Sequence, residues 1–225
     1  VLSMKITGLI DASILKKRQA GEALVPAEEA AFDRLQQRLL TIGTAAETQG
    51  VSLFVDAEES WIQDVIDELA EAMMARHNRK RPTVFNTFQL YRSDRYDYLV
   101  AVHQRSRAAG YLLGAKIVRG AYMEKERSRA AERGYASPIQ PNKAATDRDF
   151  DRAVAYCVDY PDTIALYNAT HNAASVALQA LLMQERGLAT DHPHLNFCQL
   201  YGMSDHLTFN LAAAGFNAMK YIPYG

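Results

Sequence analysis

Thr83-Val-Phe-Asn-Thr-Phe-Gln-Leu-Tyr91 is dense in β-branched and aromatic residues, and a helical stretch from Asp94 to Ala109, stopped by Gly110, follows it. Ala115-Lys-Ile-Val118 then reads as a second strand. A strand, a crossover helix and another strand make a βα unit, whose two strands pair in parallel. The same alternation extends in both directions. Upstream, Val1 to Thr7 and Val51-Ser-Leu-Phe-Val55 read as strands. Helices are expected at Ala27–Leu40, with Pro26 suited to its first turn, and at Ser60–Arg76, which carries acidic residues early and basic residues late.

Downstream, charged helical sequence follows Arg119-Gly-Ala-Tyr122, and Ser137–Lys143 reads as a loop before a helix from Asp147 to Val158. Strands at Thr163–Tyr167, Leu195–Gln199 and Asn217–Ile222 enclose helices around Ser175–Gln184 and from Asp205 to Gly215. Repeated βα units imply a parallel sheet covered by its crossover helices. No Gly-rich dinucleotide fingerprint follows the first strand, so a doubly wound sheet fits less well than a TIM-like (β/α)8 barrel. Such barrels take about 250 residues. Residues 1–225 are therefore expected to form one partial barrel domain, lacking about one N-terminal strand and the final C-terminal helix.

The composition excludes several classes. At 48% hydrophobic and 23% charged residues the chain can build a substantial core. A formal net charge of −1 supplies no field for nucleic-acid backbones. Cys157 and Cys198, the two cysteines, lie beside apolar stretches and read as small core residues rather than a disulfide framework. No segment reaches the apolar length of a membrane span, and the N-terminal residues do not form a signal peptide.

Barrel chemistry gathers at the C-terminal strand ends. Lys5, Asp56, Gln89, Tyr91, Lys116, Arg119, Tyr122, Thr170, His171, Asn172, Gln199 and Tyr221 all fall in or just beyond expected strands. Each has a plainer reading as well. Lys5 and Asp56 can form a buried ion pair that fixes strand register. Gln89 can satisfy neighbouring backbone groups, and His171 can simply start a helix. His192 and His194 flank Pro193 in a polar linker and read as a solvated loop. No His, Cys and acidic set has metal-site spacing, and Ser3, Ser52 and Ser137 lack a nucleophile-elbow pattern.

Met4-Lys-Ile-Thr7, Val55-Asp-Ala-Glu-Glu59, Lys116-Ile-Val-Arg-Gly-Ala-Tyr122, Ala169-Thr-His-Asn172, Gln199-Leu-Tyr-Gly-Met203 and Tyr221-Ile-Pro-Tyr-Gly225 follow one another along nearly the whole chain. In this order they resemble the catalytic barrel of the proline dehydrogenase family, found also in bacterial bifunctional proline utilisation proteins. The resemblance implies FAD at the strand C-terminal ends and oxidation of L-proline to 1-pyrroline-5-carboxylate. It assigns Lys5 and Asp56 to the active-site floor, with Tyr122, Leu200 and Tyr221 enclosing proline. Gln89, Lys116, Arg119, Lys143, Thr170, His171 and Asn172 become flavin contacts.

Two departures stand out. Lys116 occupies a position where bacterial bifunctional members commonly carry Arg, which keeps the charge but loses the planar donor fork. Pro141-Asn142 replaces a Thr-Arg pair beside Lys143. The family also draws a pair of carboxylate-binding arginines from a helix beyond the last strand. Further expectations from the resemblance are a quinone electron acceptor, peripheral membrane contact, and a bacterial location in the cytoplasm or on the cytoplasmic membrane. Competing readings are a flavin-dependent dehydrogenase of another cyclic amino acid and a non-catalytic barrel used for interaction.

Overall fold

A computed structural model of the chain describes residues 1–222. Seven strands lie in one sheet in the order of the sequence. They are β1 (Leu2–Met4), β2 (Leu53–Val55), β3 (Val84–Gln89), β4 (Leu113–Val118), β5 (Ile164–Ala169), β6 (Leu195–Leu200) and β7 (Ala218–Tyr221). β1 pairs with β2, β2 with β3, β5 with β6 and β6 with β7, each in parallel. Helices α1 (Ala12–Gln19), α2 (Pro26–Gln49), α3 (Ser60–His77), α4 (Arg95–Ala109), α5 (Met123–Arg133), α6 (Lys143–Asp159), α7 (Ala173–Glu185) and α8 (Asp205–Ala213) separate the strands. Sequential parallel strands with intervening helices are the architecture of a partial (β/α) barrel, as the alternation predicts.

The chain divides into two compact units. The first contains residues 1–87, 104–114 and 121–139. Its α2 begins at Pro26, and the Glu28 carboxylate reaches back to accept from the Val25 backbone N–H at 3.0 Å. Phe32, Leu35, Leu39, Gly43 and Ala46 make its buried stripe at helical spacing. At Gly43 a Cβ would sit 2.6 Å from Nε2 of His77, so the missing side chain lets α2 approach the end of α3.

Asn78 secures the N-terminal entry to the strands of this unit. Its Oδ1 accepts from the N–H groups of Thr83 and Val84 at 2.9 and 2.8 Å, and Nδ2 donates to the carbonyls of Val84 and Leu112 at 2.7 and 3.0 Å. This fully buried carboxamide thus satisfies its whole bonding capacity on backbone that flanks β3 and β4. The second unit holds residues 88–103, 115–120 and the chain from Gln140 onward. Phe150, Val154, Cys157 and Val158 bury the inner face of α6. His103, also buried, bonds Tyr156 Oη through Nδ1 and Thr163 Oγ1 through Nε2, both at 2.8 Å.

Several expected boundaries move. The first strand ends at Met4, and Ile6–Gly8 form a single 3₁₀ turn. Helix α1 was not anticipated, because it buries only Ile14 and Leu15 and its Lys16-Lys17-Arg18 run resembles a solvated loop. Helix α2 continues beyond Leu40, since its buried stripe passes to the small residues Gly43 and Ala46. Lys143 belongs to α6 rather than to a loop: Asn142 Oδ1 accepts from Ala145 N–H at 2.9 Å and starts the helix four residues early. His192 and His194 are half-buried rather than solvated, and His194 Nδ1 lies 2.7 Å from the Pro161 carbonyl. Pro223, Tyr224 and Gly225, which end the last family-like motif, lie outside the described residues.

Candidate functional site

In the first unit, the β1–β2 register aligns Met4 with Val55, so Lys5 and Asp56 leave their strands at the same level. Asp56 N–H continues the ladder by donating to the Met4 carbonyl at 2.9 Å. Lys5 Nζ donates to Tyr122 Oη at 2.7 Å and lies 5.4 Å from that ring's centroid. That hydrogen bond raises the Lys5 pKa against a desolvation penalty, and the charges of Glu58 and Asp56 act in the same direction. Lys5 is consequently an ammonium at neutral pH. It is also exposed, so the buried ion-pair reading does not hold for it.

Glu58, buried inside the same acidic motif, accepts from the backbone N–H of Thr7 at 3.1 Å and from its hydroxyl at 2.5 Å. Gln63 Oε1 in turn accepts from the Glu58 N–H at 2.7 Å. Thr7 and Glu58 therefore tie together the loops that carry Lys5 and Asp56. The sequence offered both residues within the motifs, without a sign of this bracing role.

The second unit contains the remaining residues, and Arg119 is bonded there through all three of its guanidinium nitrogens. Nε donates to Asp147 at 2.8 Å, one terminal nitrogen to Thr170 Oγ1 at 2.8 Å and the other to Ser175 Oγ at 3.0 Å. Its guanidinium lies 4.3 Å from the Phe150 ring centroid, a cation–π contact. Asp147 also pairs with Lys143 one helical turn away. Partial burial works against ionisation of Asp147, but the bonds from Lys143 and Arg119 hold its carboxyl below the usual carboxylate range. Asp147 and Ser175 escaped the sequence reading because polar helix residues ordinarily face water.

Thr170, His171 and Asn172 occupy the turn between β5 and α7. Thr170 Oγ1 accepts from Asn172 N–H at 3.1 Å as well as from Arg119. Asn172 Oδ1 caps α7 by accepting from Ala174 and Ser175 N–H at 2.9 and 3.2 Å. His171 Nδ1 lies 3.1 Å from Ser204 Oγ, and burial followed by the Lys220 charge lowers its pKa, leaving a neutral imidazole. Gln199 supports the turn from β6, donating to the Thr170 carbonyl at 3.3 Å and accepting from Thr208 Oγ1 at 2.9 Å.

Lys116 is buried in β4 with its ammonium 5.2 Å from the Tyr221 ring centroid. Gln89 is buried at the end of β3. Leu200 and Tyr221 are cross-strand partners at the ends of β6 and β7, and Leu200 remains 40% exposed. Gly120, at φ 139°, leaves room for Tyr91, whose ring carbon would lie 2.3 Å from an added Cβ. Arg92, absent from the expected set, is buried just beyond β3. It holds Asp94 through Nε and one terminal nitrogen, at 3.0 and 2.7 Å, while its other terminal nitrogen has no hydrogen-bond partner among the described residues. The only signal for it in the sequence is a charge directly after a strand. Among the described residues no group of His, Cys, Asp or Glu could hold a metal ion.

Known proteins resemble this chain in sequence and in fold. The chain is 37% identical over 201 residues to "Proline dehydrogenase 1, mitochondrial" of Homo sapiens, covering 88% of this chain and 34% of that protein. It is 31% identical over 255 residues to "Hydroxyproline dehydrogenase" of Xenopus laevis, covering 100% of this chain and 55% of that protein. Proline utilization A from Bdellovibrio bacteriovorus superposes with a TM-score of 0.87 at 21% identity, over 99% of this chain and 22% of that one, and so shares its fold. The chain spans about a third of the length of the human, nematode and bovine proline dehydrogenases that it matches. A family model described as proline dehydrogenase matches residues 2–225, and the chain accordingly belongs to the proline dehydrogenase family.

Proposed function

We propose that the protein carrying this chain oxidises L-proline to 1-pyrroline-5-carboxylate with FAD, and then passes electrons to a quinone through peripheral contact with a membrane. The observation that carries the reading is the cationic and hydrogen-bonding set of the second unit, found at strand ends within a chain that matches the family over residues 2–225. Its donor chemistry suits a flavin dinucleotide. Lys143 and Arg119 offer positive charge for a diphosphate, Lys116 offers it for an electron-rich ring, and Gln89, Thr170, neutral His171 and Asn172 add polar contacts. When bound, FAD supplies a two-electron oxidant able to take a hydride from the proline ring carbon next to nitrogen.

The chain's own residues divide the remaining tasks. Lys5, protonated and braced by Tyr122, donates a hydrogen bond to the substrate rather than serving as its base. Asp56 adds to the field that keeps Lys5 charged. Tyr122 offers an aromatic ring in the first unit, and Leu200 and Tyr221 offer apolar and aromatic surface in the second, each of a chemistry that suits a pyrrolidine ring and excludes water. Arg119 holds Thr170 and the start of α7 in place through its bonds to Thr170 and Ser175. Among the described residues no helix is long and apolar enough to cross a membrane.

Proline added to the full-length flavoprotein should bleach the oxidised flavin absorbance. Lys5→Met should slow that bleaching by roughly tenfold or more, about 1.4 kcal/mol of activation free energy, while FAD content stays unchanged. No bleaching of the unaltered protein at saturating proline would end the proposal, and equal loss of rate and FAD would make Lys5 structural. The similarity to a hydroxyproline dehydrogenase over the whole chain supports a second substrate reading. Bleaching rates with proline and with hydroxyproline, measured side by side, decide between the two.

A further inference from the structure

Strand β6 ends at Leu200, and the chain turns at once: the Met203 N–H donates to the Leu200 carbonyl at 3.1 Å, closing a four-residue turn with Gly202 at φ 74°. A positive φ at the third position is the geometry that asks for glycine. Ser204 follows at φ 52°, a left-handed conformation that a residue with a side chain adopts only when neighbouring contacts hold it there. Tyr201 and Met203 are exposed, so the turn receives little support from a core. What restrains it comes from elsewhere in the second unit. Lys220 Nζ donates to the Met203 carbonyl at 2.6 Å and pairs with the Asp205 carboxylate, also at 2.6 Å. His171 adds its contact to Ser204 Oγ.

Successive strand residues face opposite sides of a sheet. Tyr221 meets Lys116, whereas its neighbour Lys220 turns to the other side and reaches the β6–α8 turn. The Tyr201 N–H also donates to the Tyr221 carbonyl at 2.8 Å, so this short section of β7 is bonded to both ends of the turn. We infer that Lys220 is a positioning residue for substrate: it latches the turn Leu200–Met203 to β7, and thereby fixes the Leu200 side chain assigned above to the proline pocket. The inference rests on that assignment. Lys220 itself touches no reacting atom, and an exposed ion pair alone would contribute little. Its added bond to a backbone carbonyl is what converts the pair into a restraint on main-chain geometry.

The test uses the full-length flavoprotein and its Lys220→Met, Lys220→Arg and Asp205→Asn variants, with amide hydrogen exchange and steady-state kinetics on each. In Lys220→Met, exchange at residues 201–204 should accelerate about tenfold, and KM for proline should rise roughly three- to tenfold with kcat within twofold of the unaltered enzyme. Lys220→Arg should restore both readouts, since a guanidinium reaches the same two acceptors. Asp205→Asn should give a smaller change in the same direction, which keeps the inference open to refutation if Lys220→Met fails to fold. An unchanged KM in Lys220→Met, whatever its exchange rates, overturns the positioning role. Failure of the unaltered protein to oxidise proline would instead overturn the proposed function, and the exchange rates would still report whether the latch exists.

Discussion

Gly120 illustrates how much a single residue can decide. It joins Arg119 to the Ala121-Tyr122 segment at φ 139°, and an added methyl would enter the ring of Tyr91. Gly120→Ala should therefore cost roughly 1–3 kcal/mol through overpacking and backbone strain, seen as a lower urea midpoint; an unaltered midpoint would show that Tyr91 moves aside freely. At this scale the sequence reveals residue identities better than partnerships. Lys5, Arg119 and Thr170 were recognisable because polar side chains at strand ends are unusual. The Lys5–Tyr122 bond joins residues 117 apart in the chain, and no local pattern announces it. Asp147 and Ser175 were illegible for another reason: they sit on helices, where polar residues normally need no explanation.

Among the elements, α7 separates two meanings of one residue. Asn172 is a proposed flavin contact, and it is also the N-cap of α7. Asn172→Ala should destabilise the flavin-free protein by about 1 kcal/mol, whereas Asn172→Asp should preserve the cap; equal stability of all three proteins in thermal melts would remove the capping role. Helix and strand positions were largely readable from periodicity, because buried stripes at helical spacing and β-branched runs differ plainly. Boundaries were less readable. The cap at Asn142 moved the start of α6, and the small residues Gly43 and Ala46 concealed the second half of α2. A stripe that narrows to glycine and alanine still buries surface, but hydrophobicity alone does not mark it.

Across the whole molecule, alternation of strands and helices was enough to specify a parallel sheet in sequential order, since few connections suit such a pattern. Its core should also govern cysteine chemistry. Cys157 and Cys198 are both buried, and burial pushes the Cys157 thiol far above its ordinary range. A thiol reagent should modify neither in the native protein and both after denaturation; rapid labelling without denaturant, followed by mass spectrometry, would reveal an opening that the packing does not suggest. Asn78 has a broader consequence. Its saturated carboxamide clasps backbone at the strand entrances, at the other end of β3 and β4 from Gln89 and Arg119. Register is thus secured by residues outside the proposed site, so evolution or a protein engineer can revise the proposed flavin-contacting side chains without renegotiating the scaffold.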